Sequence, residues 1–156
     1  MQACSDQYDG GWFGGYGQIT FCNRFFNDLR TLDEATRYAK RYDERQENLE
    51  SWDNRARCFF HEITHLGYFV NSGGSDKSPN VEDLRIMFGP KTKQRNELTY
   101  GPYYAKISRN YRADGWYPGQ NADTYAWYAM AMWAQKKIGH YPVNPKAKGI
   151  KPFAAS

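Results

Sequence analysis

The stretch Cys58-Phe59-Phe60-His61-Glu62-Ile63-Thr64-His65 decides how the rest of the chain is interpreted. It contains the pattern His-Glu-x-x-His. Residues i and i+4 of an α-helix lie on one face, so His61 and His65 are predicted to point at one metal ion. Neutral imidazole nitrogens are good zinc ligands. Glu62 is predicted to take a proton from the attacking water and to deliver it later to the leaving amine.

A chance match on a solvated helix is the alternative interpretation of this pattern. The chain has only three His, and two of them are at this spacing. Apolar neighbours such as Phe59 and Phe60 predict a buried helix, where unpaired His and Glu side chains are costly unless a metal compensates them. The sequence therefore favours a zinc site.

Length and composition limit the classes of protein that fit. The chain has 156 residues, of which 40% are hydrophobic and 17% aromatic, enough for the core of one domain. Its apolar runs are short, so no membrane partner is expected. The net charge of +4 is spread over mixed acidic and basic residues, which argues against a nucleic-acid surface. We expect a monomer.

The three cysteines indicate the compartment. Cys4 and Cys22 flank a segment rich in Gly and aromatic residues, and a disulfide between them would staple it in a secreted protein. Cys58 is expected to be a buried free thiol. No signal peptide is present, so we expect the start of a mature or trimmed chain.

The expected fold is one α-rich α+β domain over residues 1–156, with a small sheet and the zinc helix packed on the last helix. Residues 1–17 are expected to form an irregular loop, 18–22 a strand, and 141–156 a tail. Thr31 and Glu34 fit a capping box that opens a helix running to about residue 50.

Three further helices are predicted along the chain. Ser51 is expected to cap the zinc helix, which would extend over about 52–70. A short strand or helical turn is expected within 81–88, and a helix over about 97–111. Asn121 is predicted to cap the last helix, which would end at Gly139.

An ordered set of motifs resembles a known family. His61-Glu62-Ile63-Thr64-His65 is followed by Tyr100-Gly101-Pro102 and then by Asn121-Ala122-Asp123-Thr124-Tyr125-Ala126. This series resembles the fungal deuterolysin-type zinc metallopeptidases, the aspzincins, over about residues 18–138. The resemblance implies a zincin-like fold and a secreted endopeptidase that acts on protein or peptide substrates with Zn²⁺.

The third zinc ligand is open among three acids. In the family it is an Asp of a Gly-Thr-x-Asp-x-x-Tyr-Gly motif, from which this chain departs. Asp83 resembles the lone Asp of divergent relatives and is favoured. Glu97 keeps the acid-x-x-Tyr-Gly spacing, which would aim it and Tyr100 at one site if the segment were helical. Asp76 resembles the first half of the motif. His140, just beyond a helix end, is not expected to bind.

Roles at the zinc site are predicted for two more residues, Tyr100 and Asp123. The resemblance makes Tyr100 a donor to the oxyanion of the transition state, and a core tyrosine is the alternative. Asp123 is predicted to accept the second ring N–H of a zinc-bound His, or else to act only as a helix-capping charge.

The favoured function is zinc-dependent cleavage of peptide bonds. A non-proteolytic zinc-binding or effector protein that retains the fold is the alternative.

Overall fold

The computed structural model describes residues 5–8, 18–66, 81–88, 93–108 and 118–142. Within these ranges the chain combines helices with two small antiparallel sheets, which agrees with the α+β class. The strands are β1 (Ser5–Tyr8), β2 (Gln18–Phe21), β3 (Arg85–Phe88) and β4 (Arg95–Leu98). The α-helices are α1 (Asn23–Asn27), α2 (Leu32–Lys40), α3 (Asp43–Gln46), α4 (Arg55–Thr64), α5 (Gly101–Ser108) and α6 (Ala122–Ile138). Two 3₁₀ turns cover Leu49–Trp52 and Pro118–Gln120.

Each sheet is an antiparallel pair of strands. β1 pairs with β2, so that Ser5 lies opposite Phe21. The prediction of a strand within 18–22 is confirmed. The prediction of an irregular loop over 1–17 is wrong for Ser5–Tyr8, because these residues find backbone partners along β2. The rest of the predicted loop lies outside the described residues.

The segment after Thr31 begins as predicted but is shorter. Thr31 Oγ1 accepts from the Glu34 amide and Glu34 accepts from the Thr31 amide, which confirms the capping box. The helix ends at Lys40 rather than near residue 50, and Tyr42 just beyond it has an extended backbone and an exposed side chain. The chain then turns to bury Trp52, whose Nε1 donates to the carbonyl of Gln46 at 3.1 Å.

The central helix α4 is also shorter than expected. Its N-cap is Asn54 instead of Ser51, because Asn54 Oδ1 accepts from the Arg57 amide at 3.0 Å. The helix ends at Thr64, before the predicted end near residue 70, and residues 67–70 lie outside the described ranges. The side chains of Phe59 and Phe60 are 45% and 39% exposed, against expectation. The buried face is mainly polar and consists of Arg57, Cys58, His61, Glu62 and Thr64.

The region before α6 differs most from the sequence-based expectation. Residues 95–98 form β4, which pairs with β3, where the start of a helix was predicted. The helix α5 begins only at Gly101, whose φ of 89° is favourable for glycine alone. The predicted helical residues 109–111 lie outside the described part of the chain.

The last helix closes the hydrophobic core. α6 packs against α4, as predicted, and ends at Gly139, whose φ is 87° and whose amide donates to the Gln135 carbonyl at 2.7 Å. Its side chains Trp127, Met130 and Ala134 form the core cluster with Ala39 and Trp52. Among the described helices, none is long and apolar enough to span a membrane.

Candidate metal centre

Helix α4 brings His61 and His65 together as their spacing predicts. The two side chains are one turn apart and buried, with exposed fractions of 3% and 7%. His65 is the C-cap, but its φ of −75° and ψ of −16° are still helical, so the i, i+4 relation holds. Their Nε2 atoms lie 3.2 Å apart.

The other ring nitrogen of each histidine has a fixed partner. His61 Nδ1 lies 3.1 Å from Asp123 Oδ1, and His65 Nδ1 lies 2.6 Å from the carbonyl oxygen of Val81. A carboxylate and a carbonyl only accept hydrogen bonds, so each Nδ1 carries the hydrogen. In the neutral ring each Nε2 is then left with a lone pair, which is the form of histidine that binds metals.

Asp83 completes a triangle with these two nitrogens. Its Oδ1 lies 3.2 Å from His61 Nε2 and 3.4 Å from His65 Nε2. This oxygen is buried, and no hydrogen-bond partner for it exists among the described residues. Three lone-pair atoms that converge in this way repel each other unless a cation lies between them.

The dimensions of the triangle fit zinc. A tetrahedral ion with ligands at about 2.0–2.1 Å holds them about 3.3–3.4 Å apart, which matches the three edges. Two imidazoles and a carboxylate suit zinc, and three protein ligands leave the fourth position for water or substrate. Within the described ranges, these three residues are the one group able to hold a metal ion.

Two of the competing ligand candidates, Glu97 and His140, lie elsewhere. Glu97 is on β4, opposite Ile86, with its carboxylate 3.5 Å from Arg95. Because β4 is a strand, the helical argument that joined Glu97 to Tyr100 does not apply. Asp76 lies outside the described residues. His140 is exposed and pairs with Glu47 at 2.6 Å.

The Asp123 carboxylate receives four donors. Its Oδ1 accepts from His61 Nδ1 and from Arg57 Nη1 at 2.9 Å, and its Oδ2 accepts from the Gly101 amide at 2.5 Å and from Trp127 Nε1 at 2.9 Å. Burial would raise the pKa of Asp123, but the hydrogen bond from His61 and the charge of Arg57 hold it below its usual value. Asp123 is therefore an ionised acceptor that orients His61.

The electrostatics of the pocket favour a positive charge. Burial opposes the charged form of His61, yet Asp123 and Asp83 outweigh it and raise its pKa to about 9. Burial would likewise raise the pKa of Asp83, but the adjacent rings of His61 and His65 and the hydrogen bond from Tyr100 hold that pKa far below its usual range. Both shifts have one cause, which is the attraction between the carboxylates and the charged form of His61. The same carboxylates would attract a metal cation at the centre of the triangle.

Tyr100 lies beside two of the candidate ligands, and Glu62 directly follows the first of them in the sequence. The Tyr100 hydroxyl donates to Asp83 Oδ2, and its ring contacts the His61 ring edge-on with centroids 5.5 Å apart. Burial and the Asp83 carboxylate raise the Tyr100 pKa, with a further contribution from Glu62, so the phenol remains a donor. Glu62 is only 4% exposed.

A cavity of about 340 Å³ opens beside His61 and Tyr100. Its lining carries more carboxylates than guanidinium groups. The lining residues are Asp28, Leu29, Arg30, Glu50, Asp53, Arg57, His61, Tyr100, Gly101, Asp123 and Trp127. The volume is sufficient for a substrate side chain beside His61.

The cysteines differ in state. Cys22 is disulfide-bonded, and Cys4, its expected partner, lies outside the described residues. Cys58 is a buried free thiol on α4, as expected, and burial raises its pKa to about 11.

Sequence reasoning missed three contributors to the site. Arg57 precedes His61 by one helical turn, so its i−4 position could have suggested the contact with Asp123. The Val81 carbonyl that orients His65 has no side-chain signal. Asn121 is the N-cap residue of α6, as predicted, but its side chain makes no capping bond to the backbone of α6 and was expected to do nothing else.

The chain was compared with protein-family models, curated proteins and solved structures, and none of them matches it. The resemblance to deuterolysin-type peptidases therefore stays a prediction.

Replacing each candidate ligand separately tests the triangle. Because Asp83 supplies one of its three corners, we expect Asp83→Ala to weaken zinc binding by more than the roughly 10–100-fold typical of losing an outer partner. Glu97→Ala should leave zinc affinity unchanged. Competition with a chromophoric chelator measures both. A small, equal effect of the two substitutions would mean that the third ligand lies elsewhere in the chain.

Removing the charge of Asp123 tests its role as the common acceptor. Asp123→Asn puts an amide where four donors converge, so we expect a loss of about 3–5 kcal/mol in the free energy of unfolding. Zinc affinity should fall roughly 10–100-fold. Chemical denaturation and chelator competition give the two values. Asp28→Asn, which alters an exposed carboxylate paired with Arg24, is the matched control and should change neither.

Proposed function

We propose that this protein is a zinc-dependent endopeptidase that hydrolyses peptide bonds in protein substrates. One observation carries the proposal: His61, His65 and Asp83 offer three lone-pair atoms at the spacing of a tetrahedral zinc site, and Glu62 directly follows the first of them. The same ligand set with an open fourth position is typical of catalytic rather than structural zinc sites.

Bound in this triangle, zinc would polarise the scissile carbonyl and lower the pKa of a water molecule enough for attack near neutral pH. Glu62 is the base that accepts the proton of that water on its carboxylate. It later donates the proton to the nitrogen of the leaving amine. Glu62 is buried, so its carboxylate is shielded from bulk water.

Tyr100 is proposed to stabilise the oxyanion. Its hydroxyl donates to Asp83 Oδ2, and its ring contacts the ring of His61. The hydroxyl is therefore close to the negative charge that would develop on the substrate at the centre of the triangle. A protonated phenol can donate there. The cavity beside Tyr100 would hold the side chain of a substrate residue adjacent to the cleaved bond.

A zincin-like fold and secretion belong to the same proposal. The helix α4 with its polar inner face, the small sheets and the order of the motifs support an aspzincin-like architecture. The disulfide at Cys22 supports an oxidising, extracellular location.

Cleavage of an unfolded protein mixture by zinc-loaded protein tests the function. Wild type should cleave, and Glu62→Gln should bind zinc with wild-type affinity but lose cleavage, because the amide cannot accept the proton. Glu97→Gln is the matched control and should retain activity. If Glu62→Gln still cleaves, the role of Glu62 is wrong. Zinc binding without cleavage by wild type would instead favour the non-proteolytic zinc-binding protein.

Tyr100→Phe separates the oxyanion role from support of Asp83. We expect kcat to fall about 10²–10³-fold, as when an oxyanion donor is removed, with a smaller effect on zinc affinity. Tyr125→Phe, which loses a 2.8 Å hydrogen bond to the Gly119 carbonyl outside the triangle, is the control. Unchanged kcat with weakened zinc binding would show that Tyr100 acts only through Asp83.

A further inference from the structure

The side chain of Asn121 joins two segments that carry site residues. Asn121 is fully buried, and its Oδ1 accepts from the Leu84 amide at 3.0 Å. Its Nδ2 donates to the Thr99 carbonyl at 3.1 Å and to Thr124 Oγ1 at 3.0 Å. The Leu84 amide can only donate and the Thr99 carbonyl can only accept, so the oxygen of the Asn121 side chain must face Leu84 and its nitrogen must face Thr99. The side-chain oxygen of Asn121 therefore holds Leu84, the neighbour of Asp83, and its nitrogen holds Thr99, the neighbour of Tyr100.

Backbone hydrogen bonds tie the same segments together. The Glu82 amide donates to the Gln120 carbonyl at 3.2 Å, and the Ala122 amide donates to the Glu82 carbonyl at 2.9 Å. The Thr99 amide donates to the Leu84 carbonyl at 2.8 Å. Asp83 thus lies between two residues whose backbones are fixed to the start of α6 and to the end of β4.

This attachment matters because Asp83 is not on a regular element. His61 and His65 are positioned by α4, whereas residue 83 lies in an extended stretch just before β3. A metal ligand must be held within about 0.5 Å of its productive position. The hydrogen bond from the Leu84 amide to the Asn121 side chain ties this stretch to the start of α6.

We propose that Asn121 is a positioning residue that fixes Asp83 as the third zinc ligand, in addition to holding the strand that leads to Tyr100. Asn121 supports Asp83, and Asp123 orients His61, so two residues of one motif position two of the candidate ligands. Ala122, fully buried, separates Asn121 from Asp123. The inference rests on the proposed function for the identity of the metal, but it concerns binding rather than cleavage.

Zinc affinity of the full, oxidised chain tests the proposal without any substrate. We expect Asn121→Ala to weaken zinc binding roughly 10–100-fold, measured by competition with a chromophoric chelator at a temperature where circular dichroism shows the variant folded. Asn121→Asp keeps the acceptor for the Leu84 amide but puts an oxygen in place of the donor to the Thr99 carbonyl, so it should recover only part of that loss.

Thr31→Ala is the control for a purely structural effect. It removes a helix cap worth about 1 kcal/mol and touches no residue of the centre, so its zinc affinity should equal that of wild type. An Asn121→Ala variant that binds zinc as tightly as Thr31→Ala overturns the proposal. Failure of wild type itself to bind zinc would instead overturn the proposed function, and the inference with it.

Amide hydrogen exchange in the wild type covers the case in which Asn121→Ala does not fold. The Leu84 amide should be protected, because it is held by the Asn121 side chain in the core rather than by a strand partner. Exchange of this amide at the rate of an unstructured peptide would overturn the proposal.

Discussion

A single buried carboxylate on α6 is the constraint on which the rest of the structure depends. An ionised group away from water is costly unless it is paired and fully hydrogen-bonded. Asp123 meets this condition only when a guanidinium, an imidazole, an indole and a backbone amide converge on it. These donors come from α4, α6 and the start of α5, so the carboxylate sets the relative positions of three helices. It also directs the chain at Gly101, and thereby Tyr100, toward the ligand triangle.

The two ends of α6 lie in different surroundings. At one end, Trp52, Met130 and Ala134 form an apolar core, where burial of nonpolar surface stabilises the fold. At the other end, α4 turns its polar face inward. Trp127 joins the two: its Nε1 donates to Asp123, and its ring lies 4.9 Å below the guanidinium of Arg57. The polar centre is thus built on the edge of the core, where its position is rigid.

Local signals in the sequence predicted much of this arrangement. The i, i+4 histidines, the capping box at Thr31 and the glycine stop at residue 139 depend on neighbours within one helical turn, and the structure has them. The length of α2 was overestimated. The helical pattern of the sequence continues beyond Lys40, but the chain turns there to bury Trp52 in the core. The choice between Asp83 and Glu97 could not be made locally, since it depends on which strand pairs with β3. Asn121 has the side chain of a good cap, but tertiary partners at Leu84 and Thr99 use that side chain instead.

The thiol of Cys58 gives the central helix an internal reporter. It lies one turn before His61, is 1% exposed, and has a pKa of about 11, so at neutral pH only about one molecule in 10⁴ carries the reactive thiolate, and that one is shielded. An alkylating reagent can therefore reach it only when the structure around α4 opens. The rate of modification then measures the opening of this one helix, separately from the unfolding of the whole chain. Any ion or ligand that binds the centre must slow that rate in proportion to its affinity.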